Sequence, residues 1–237
     1  MDLKEAELRT TLDEQVAYYR ARAPEYDEWM EQRGRYFHGP EATAAFYAEL
    51  AEVEAALSQF NATGDVLEFA CGTGWGTERL ARTASSITCI DTAPEMVALN
   101  QARLRRAGLP EPTYILADLF SWKPARQYDV VYFGFWLSHV PRVYFEPFWR
   151  MVADALKPGG RVFLFDEAAT RSETYTPRDC HDRQPRNLND GRSFTIIKLY
   201  YDHADLAQSL ERLGWSADIR CTPNQFLYGV ASRRGEA

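Results

Sequence analysis

The feature that most constrains the fold of this chain is a glycine-rich turn that directly follows a short apolar run. Residues 66–70 form the apolar run, and Gly72, Gly74 and Gly76 follow it at alternate positions. Glycines between a strand and a helix let a ligand approach the main chain, because side chains at those positions would collide with the ligand. The segment therefore predicts a strand, a ligand-binding turn and a helix within an α/β domain.

Short apolar runs and helical stretches alternate after this turn, as in repeated βα units that feed a parallel sheet. The connection between the last two apolar runs, 216–221 and 226–231, is too short for a helical crossover and indicates an antiparallel pair. The sequence thus predicts an α/β, Rossmann-like, doubly wound sheet of seven mostly parallel strands with an antiparallel last strand. The other expected strands of this sheet are 66–70, 87–90, 114–117, 129–135 and 161–165, and 193–201 is expected to be a further strand.

The chain divides into two parts by pattern. Residues 1–60 have helical spacing and predict an N-terminal helical lid or cap, and residues 61–237 predict the α/β domain. A polar insertion at about 168–192 carries five arginines against four acidic residues, together with two prolines. This composition favours a solvated loop or lid over a core segment.

Composition excludes several classes of function. The chain has 27 Lys and Arg against 34 Asp and Glu, a net charge of −7, which disfavours nucleic acid as a partner. No uncharged stretch approaches the roughly 20 apolar residues of a membrane helix, so we expect no membrane association. The charged N-terminus is unlike a secretory signal, and the four cysteines lack C-x-x-C spacing. We expect a cytoplasmic protein with free thiols and no metal site.

Three acidic residues stand at or near the ends of consecutive predicted strands. Glu68 precedes the glycine turn, Asp91 ends the second strand and Asp118 follows the third. In open α/β sheets ligands bind at this carboxyl edge, where an acid such as Asp91 can accept both hydroxyls of a ribose. Asp118 could accept an adenine amine, so the three acids together predict a nucleoside site.

The identity of the nucleoside follows from Glu68 and Thr77. A carboxylate at position 68 suits a ligand with a cationic amine or sulfonium and would repel a pyrophosphate. Thr77 stands where a dinucleotide fingerprint has its third glycine. Both observations favour S-adenosylmethionine over NAD.

This combination resembles the class I S-adenosylmethionine-dependent methyltransferases, from about Tyr18 to the end of the chain. The resemblance implies S-adenosyl-L-methionine as cofactor and S-adenosyl-L-homocysteine as product. It also implies a lid tyrosine that reaches the methionine carboxylate, with Tyr19 as first candidate and Tyr26 as second. The other cofactor-binding residues that it implies are Glu68, Ala70, Gly72, Gly74, Asp91, Thr92, Met96, Asp118, Leu119 and Phe135.

A narrower resemblance concerns the acceptor. Residues 133–141 and 190–198 are similar to segments of the dehydrophos-type phosphonate O-methyltransferases, whereas a stretch around 33–49 is extra here. The likeness implies secondary metabolism and oxygen methylation of a small acceptor that is anionic, such as a phosphonate or carboxylate, or phenolic. It also places Lys198 beside the acceptor pocket, where an ammonium could hold an anion.

Alternatives remain at the level of the sequence. His139 could take a proton from an alcohol or phenol, or it could fix its loop by a hydrogen bond. Lys198 could instead be an exposed strand-end lysine. A nucleotide-dependent oxidoreductase and a non-catalytic nucleoside-binding protein are the alternative functions. Both a monomer and a homodimer are compatible with the sequence.

Overall fold

The computed structural model describes residues 3–169 and 182–235. Single 3₁₀ turns lie at Ala23–Glu28, Gly34–Tyr36 and Leu137–His139. The helices are α1 (Leu3–Arg22), α2 (Pro40–Phe60), α3 (Trp75–Leu80), α4 (Pro94–Ala107), α5 (Arg142–Ala155) and α6 (His203–Arg212). The strands are β1 (Asp65–Phe69), β2 (Ser86–Asp91), β3 (Thr113–Leu116), β4 (Tyr128–Gly134), β5 (Leu156–Glu167), β6 (Arg183–Asn187), β7 (Ser193–Ile197), β8 (Trp215–Cys221) and β9 (Phe226–Arg233).

The main sheet has seven strands in the order β3-β2-β1-β4-β5-β9-β8. The first five of these strands are parallel, and Val66 of β1 pairs with Ile87 of β2 and Val130 of β4. β9 runs antiparallel to both β5 and β8. The predicted doubly wound, mostly parallel sheet with an antiparallel last strand is therefore confirmed. Its central strands are apolar and buried because helices cover both faces.

The segment after β5 differs from the prediction. β7 does not join the main sheet but pairs antiparallel with β6 in a separate two-stranded sheet, called the hairpin below. β6 falls inside the stretch predicted as a polar loop or lid, and Arg183–Asn187 form a strand there rather than a loop. Pro185 is tolerated there because a two-stranded sheet has only edge strands. Residues 170–181 of the expected insertion lie outside the described residues.

The N-terminal sixty residues pack in two different ways. α2 buries Phe46, Leu50 and Val53 in the same hydrophobic cluster as Val66 of β1. α2 is therefore part of the core of the sheet domain.

α1 instead docks on the hairpin. Glu14 Oε1 accepts a hydrogen bond from the Thr195 amide at 2.6 Å, and Gln15 Oε1 accepts one from the Ile197 amide at 2.9 Å. Leu12 packs against Ile197 in the same place. Two α1 side chains thus satisfy backbone donors of β7 that a free strand edge would leave unpaired.

The two faces of the main sheet carry separate cores. One core packs α5 and α6 against the sheet, and within it Trp149 of α5 meets Trp215 of β8 with ring centroids 5.0 Å apart. The other joins α2 and α3 to the opposite face. Within residues 3–169 and 182–235, no helix combines the length and apolar character needed to cross a bilayer. These two packed faces fix the strand ends at which the site lies.

Candidate active site

A cavity runs along the carboxyl ends of β1, β2 and β4 beneath α1, and we call it the strand-end cavity. Three chain-distant elements contribute to it, namely the glycine turn, the loop after β2 and the 3₁₀ turn Leu137–His139. Most of the site residues predicted from the sequence line this cavity. They are Tyr19, Tyr26, Ala70, Gly72, Asp91, Thr92, Met96, Asp118, Leu119, Phe135 and His139.

Asp91 is the best-fixed acid of this cavity. Its Oδ2 accepts the Gly72 amide at 2.9 Å, and its Oδ1 accepts the Ala93 amide at 2.9 Å. Burial raises the pKa of Asp91, and these backbone donors oppose the rise. A carboxylate can accept about four hydrogen bonds, so Asp91 keeps acceptor capacity for a ligand. Asp118 is exposed, and its Oδ1 accepts the Phe120 amide at 3.0 Å.

The glycines of the turn have different roles. A Cβ at Gly74 would lie 2.7 Å from the Asn100 side chain, and one at Gly76 would lie 2.6 Å from Glu68 Oε1. These two glycines are therefore required by packing inside the protein. Gly72 lines the strand-end cavity and leaves space for a ligand, since a Cβ there would meet no atom closer than 3.9 Å.

Glu68 lies apart from the other two acids. It is 2% exposed and does not line the strand-end cavity; it borders a smaller cavity beside Tyr26 and Gly72. The Thr77 hydroxyl donates to its Oε2 at 2.6 Å, and the Cys89 thiol donates at 3.5 Å. Burial raises the pKa of Glu68 to about 8. The side chain is therefore mostly protonated at neutral pH, a state that the sequence does not predict.

A second cavity of about 420 Å³ lies between α1, the 3₁₀ segments after it and the hairpin, and we call it the hairpin cavity. It shares Tyr19, Tyr26, Phe135 and His139 with the strand-end cavity. A volume of this order holds a small metabolite. The four shared side chains therefore form the boundary between two adjoining cavities.

A hydrogen-bonded pair occupies this boundary. The Tyr19 hydroxyl lies 2.8 Å from His139 Nε2, and His139 Nδ1 lies 2.7 Å from the Ile197 carbonyl oxygen. Burial, reinforced by the nearby Lys198 charge, holds the pKa of His139 well below its ordinary value, so the imidazole is neutral. Because a carbonyl only accepts, Nδ1 carries the hydrogen and Nε2 accepts from Tyr19. His139 thus keeps a basic nitrogen at the boundary.

Lys198 follows β7, lines the hairpin cavity and is 2% exposed, which excludes the alternative of an exposed strand-end lysine. Its Nζ donates to Ser138 Oγ at 2.9 Å and to Glu167 Oε1 at 3.1 Å, and it lies 3.6 Å from Asp166 Oδ1. Burial lowers the pKa of Lys198, but the two carboxylates outweigh it and the net shift is upward. Lys198 is thus charged and largely compensated.

Two functional features were missed by sequence reasoning. Asp166 accepts the Ser138 amide at 2.8 Å and, with Lys198, fixes the turn that carries His139. Arg22 lines the hairpin cavity, although nothing in its local sequence distinguishes it from the neighbouring arginines. The described part of the chain contains no group of three or more His, Cys, Asp or Glu side chains placed to hold a metal ion.

Comparison with known proteins identifies the family. A family model described as a methyltransferase domain matches residues 66–160. The structure titled DhpI-SAH complex is 37% identical and covers 94% of this chain and 97% of that chain, with a TM-score of 0.73. This chain is a class I S-adenosylmethionine-dependent methyltransferase. The DhpI-SAM-HEP complex, at the same identity and coverage, superposes on this methyltransferase with a TM-score of 0.76.

Other relatives are more distant. A ubiquinone biosynthesis O-methyltransferase of Xylella fastidiosa is 35% identical to the methyltransferase over 105 residues, which cover 42% of this chain and 40% of that protein. A demethylmenaquinone methyltransferase of Tropheryma whipplei is 32% identical over 100 residues, with the same shares. The methyltransferase thus spans about two fifths of these curated relatives. A Clostridium acetobutylicum methyltransferase structure, 15% identical with a TM-score of 0.64, shares the fold over 92% of this chain and 99% of that chain.

Proposed function

We propose that this methyltransferase transfers a methyl group from S-adenosylmethionine to an oxygen atom of a small metabolite held in the hairpin cavity. The observation that carries the proposal is the boundary of Tyr19, Tyr26, Phe135 and His139, where the hairpin cavity meets the strand-end cavity. S-adenosylmethionine supplies an electrophilic methyl group on a sulfonium. The task of the protein is then to align an acceptor oxygen and exclude water.

The strand-end cavity has the chemistry that an adenosyl group requires. We assign the ribose hydroxyls to Asp91, which is fixed by two amides, and the adenine amine to Asp118. Leu119, Thr92 and Met96 provide the walls of this cavity. Ala70 and Phe135 both have positive φ at the strand ends, so the backbone there is strained where it borders the cavity.

The methionine carboxylate is assigned to Tyr26 in preference to Tyr19. The Tyr19 hydroxyl has one hydrogen, and it is donated to His139 in this structure. The Tyr26 ring lies near the glycine turn, since a Cβ at Gly72 would be 4.0 Å from Tyr26 Cε1. This order reverses the one that the family resemblance suggested.

For an alcohol or phenol acceptor, His139 is the proposed base. As the acceptor oxygen attacks the methyl group, its proton passes to the Tyr19 oxygen while the Tyr19 proton passes to His139 Nε2. The Nδ1–H bond to the Ile197 carbonyl keeps the ring in the tautomer that this transfer needs. Tyr19 ends the step neutral and His139 ends it as an imidazolium.

For a phosphonate or carboxylate acceptor, the oxygen is already anionic and no base is required. Lys198, whose charge is largely compensated by Glu167 and Asp166, then contributes a hydrogen-bond donor at the cavity wall. The likeness to ubiquinone biosynthesis O-methyltransferases supports oxygen as the acceptor atom.

We propose a modified division of the chain into an N-terminal helical lid and an α/β domain. α1 covers the strand-end cavity through Leu12, Gln15 and Val16 and is the proposed lid. α2, although within residues 1–60, belongs to the sheet core.

We propose a cytoplasmic location as well, supported by the free thiols of Cys71, Cys89 and Cys221.

The charge of the strand-end cavity disfavours a dinucleotide oxidoreductase. Its charged lining consists of Asp13, Asp91, Asp118 and one cation, Arg9. Arg9 is 71% exposed in its side chain and lies 3.9 Å from Asp13. A pyrophosphate would therefore meet an acidic surface.

The decisive experiment is a transfer assay with S-adenosylmethionine labelled in its methyl group. Phosphonates, carboxylates and phenols are offered separately, and the label is located in the product by mass spectrometry. The proposal expects label on oxygen and release of S-adenosylhomocysteine. Label on nitrogen or carbon would contradict oxygen methylation. Binding of S-adenosylhomocysteine without transfer to any acceptor would favour the non-catalytic alternative, and NADH binding would favour the oxidoreductase.

A further inference from the structure

Arg103 of α4 joins two segments of the site that are distant in the chain. Its Nη2 donates to Asp27 Oδ2 at 2.7 Å, and its Nε donates to the Thr73 carbonyl oxygen at 2.9 Å. The Thr73 hydroxyl donates to the other carboxylate oxygen of Asp27 at 2.5 Å. Three hydrogen bonds thus close a ring between Arg103, Asp27 and Thr73, and we call these residues the lid-turn network.

The lid-turn network connects the segment after α1 to the glycine turn. Asp27 lies in the 3₁₀ turn Ala23–Glu28, directly after α1, whereas Thr73 belongs to the glycine turn and is 3% exposed. Tyr26, the chain neighbour of Asp27, lines both the strand-end cavity and the hairpin cavity. The network therefore fixes the backbone on either side of the place where the two cavities meet.

The packing of α4 does not depend on this network. α4 is anchored in the sheet core by buried apolar side chains such as Val97, whereas the side chains of Arg103 and Asp27 are 21% and 29% exposed. A partly exposed ion pair contributes little to the stability of a domain. A guanidinium nevertheless donates in fixed directions, so it determines the relative position of the groups that accept from it. These properties indicate a role in positioning the two segments.

We propose that Asp27 and Arg103 are positioning residues for cofactor binding, which hold Tyr26 against the glycine turn where it meets the methionine end of S-adenosylmethionine. This inference rests on the proposed function, which assigns the methionine carboxylate to Tyr26. A shift of Asp27 moves the adjacent Tyr26 ring, which lies near Gly72. Among the described residues that line the two cavities, neither Asp27 nor Arg103 occurs, so both act through Tyr26 and the turn.

Calorimetric titration of the full chain with S-adenosylhomocysteine tests this inference. We expect Arg103→Gln and Asp27→Asn each to raise Kd by about tenfold, because Gln lacks the charge and Asn has one oxygen for two donors. Arg103→Lys should restore part of the affinity, since it keeps the charge but not the fork that reaches both Asp27 and Thr73. The matched control is Arg20→Gln, because Arg20 joins α1 to α4 through Glu95 at 2.9 Å rather than through the glycine turn. It should bind as the wild type does.

A double-variant cycle with Tyr26→Phe separates positioning from a general structural role. Tyr26→Phe should itself weaken S-adenosylhomocysteine binding, because it removes the hydroxyl assigned to the methionine carboxylate. If Arg103 acts through Tyr26, then Arg103→Gln should raise the Kd of Tyr26→Phe by less than about twofold. A purely structural effect would instead multiply Kd by the same factor in both backgrounds.

The outcomes distinguish the inference from the proposed function. Wild-type affinity in either Arg103→Gln or Asp27→Asn would overturn the inference, as would equal effects of Arg103→Gln with and without the Tyr26 hydroxyl. Wild-type affinity in Tyr26→Phe would overturn it too, because the network would then have no cofactor contact to position. Failure of the wild type to bind S-adenosylhomocysteine would refute the proposed function itself. If thermal unfolding shows that Arg103→Gln is not folded, Asp27→Asn is judged by the same criteria.

Discussion

The strand-end cavity and the hairpin cavity adjoin, yet they differ in charge and in the origin of their residues. The acids Asp91 and Asp118 border the first, and the cations Arg22, Arg186 and Lys198 line the second. One stretch of chain, 66–119, supplies these two acids and the glycine turn of the first cavity, whereas α1, Tyr26 and residues 120–144 supply the rest of its lining. The second is assembled from α1, the Leu137–His139 turn and the hairpin.

This difference suggests how two ligands of opposite charge are kept apart. A cationic sulfonium is favoured where acids predominate, and an anionic acceptor is favoured where cations predominate. Each cavity disfavours the ligand of the other, and the neutral pair Tyr19 and His139 lies between them. Under the proposed function, this separation of charge would orient the two ligands before any bond is formed.

Replacement of His139 should have the largest effect on activity, and it tests the proposed role of the boundary between the two cavities in acceptor chemistry. In His139→Asn, kcat for phenolic acceptors should fall by about 10²–10⁴, because the base is lost while an amide can still donate to the Ile197 carbonyl. For phosphonate acceptors kcat should change little, since they need no base. Steady-state kinetics with both acceptor classes measure this. An equal loss for both classes would indicate a positioning role for His139.

The pH dependence of the free energy of unfolding tests the protonation state of Glu68 beside the glycine turn. Glu68 has its pKa raised to about 8 by burial, against an ordinary value of about 4.5. Between these values the folded state holds a proton that the unfolded state has lost, so stability falls as pH rises, by up to about 1.4 kcal/mol per pH unit. In Glu68→Gln this slope should disappear, as measured by urea unfolding from pH 5 to 8.

Glu49→Gln is the matched control for that measurement. Glu49 is also buried, but donors including Thr222 and Asn224 outweigh its burial and lower its pKa. Its contribution to stability is present above the ordinary pKa and is lost as pH falls, so Glu49→Gln should shift stability by a constant amount between pH 5 and 8. A wild-type slope that survives in Glu68→Gln would show that Glu68 ionises normally.

Loss of Asp91 should weaken cofactor binding by the free energy of one or two hydrogen bonds to a charged group. We expect Asp91→Ala to cost about 1.5–3 kcal/mol per bond in S-adenosylhomocysteine binding. Asp118→Ala should cost less, because Asp118 is exposed to water. Calorimetric titration measures both variants. The assignment of the ribose to Asp91 would be wrong if Asp91→Ala retained the wild-type dissociation constant.

The smallest effect is expected at the surface ion pair that joins α1 to α4. Arg20 Nη2 lies 2.9 Å from Glu95 Oε1, and both side chains are about half exposed. Exposed pairs of this kind contribute little and are screened by salt. Arg20→Ala should therefore leave the unfolding midpoint unchanged within error. A large drop would mean that α1 is held to the domain mainly by this pair.

The strand-end cavity was largely predictable from the sequence because its residues follow local rules. Apolar runs identify β1 and β2, and an acid at the end of such a run must lie at the carboxyl edge of the sheet. The sequence alone therefore puts Gly72 and Asp91 at the same edge, and the two are joined by a hydrogen bond of 2.9 Å. The burial state of Glu68 was not predictable, because it depends on packing by Thr77 and Cys89.

The hairpin cavity was not predictable, because its contacts join distant parts of the chain. Tyr19 and His139 are 120 residues apart, and Lys198 meets Ser138 across 60 residues. The Arg-rich stretch is typical of a solvated loop because its charges nearly balance in sequence. The structure shows that Arg192 pairs with Asp190 whereas Arg186 has no described carboxylate partner, and this separation depends on the strand geometry of the hairpin.

A crystal structure of the chain with S-adenosylhomocysteine tests the central claim most directly. The account predicts the ribose hydroxyls on Asp91, the adenine beside Asp118 and the sulfur at the boundary of Tyr19, Tyr26, Phe135 and His139, facing the hairpin cavity. An adenosyl group bound elsewhere, or one whose sulfur points away from the hairpin cavity, would contradict it.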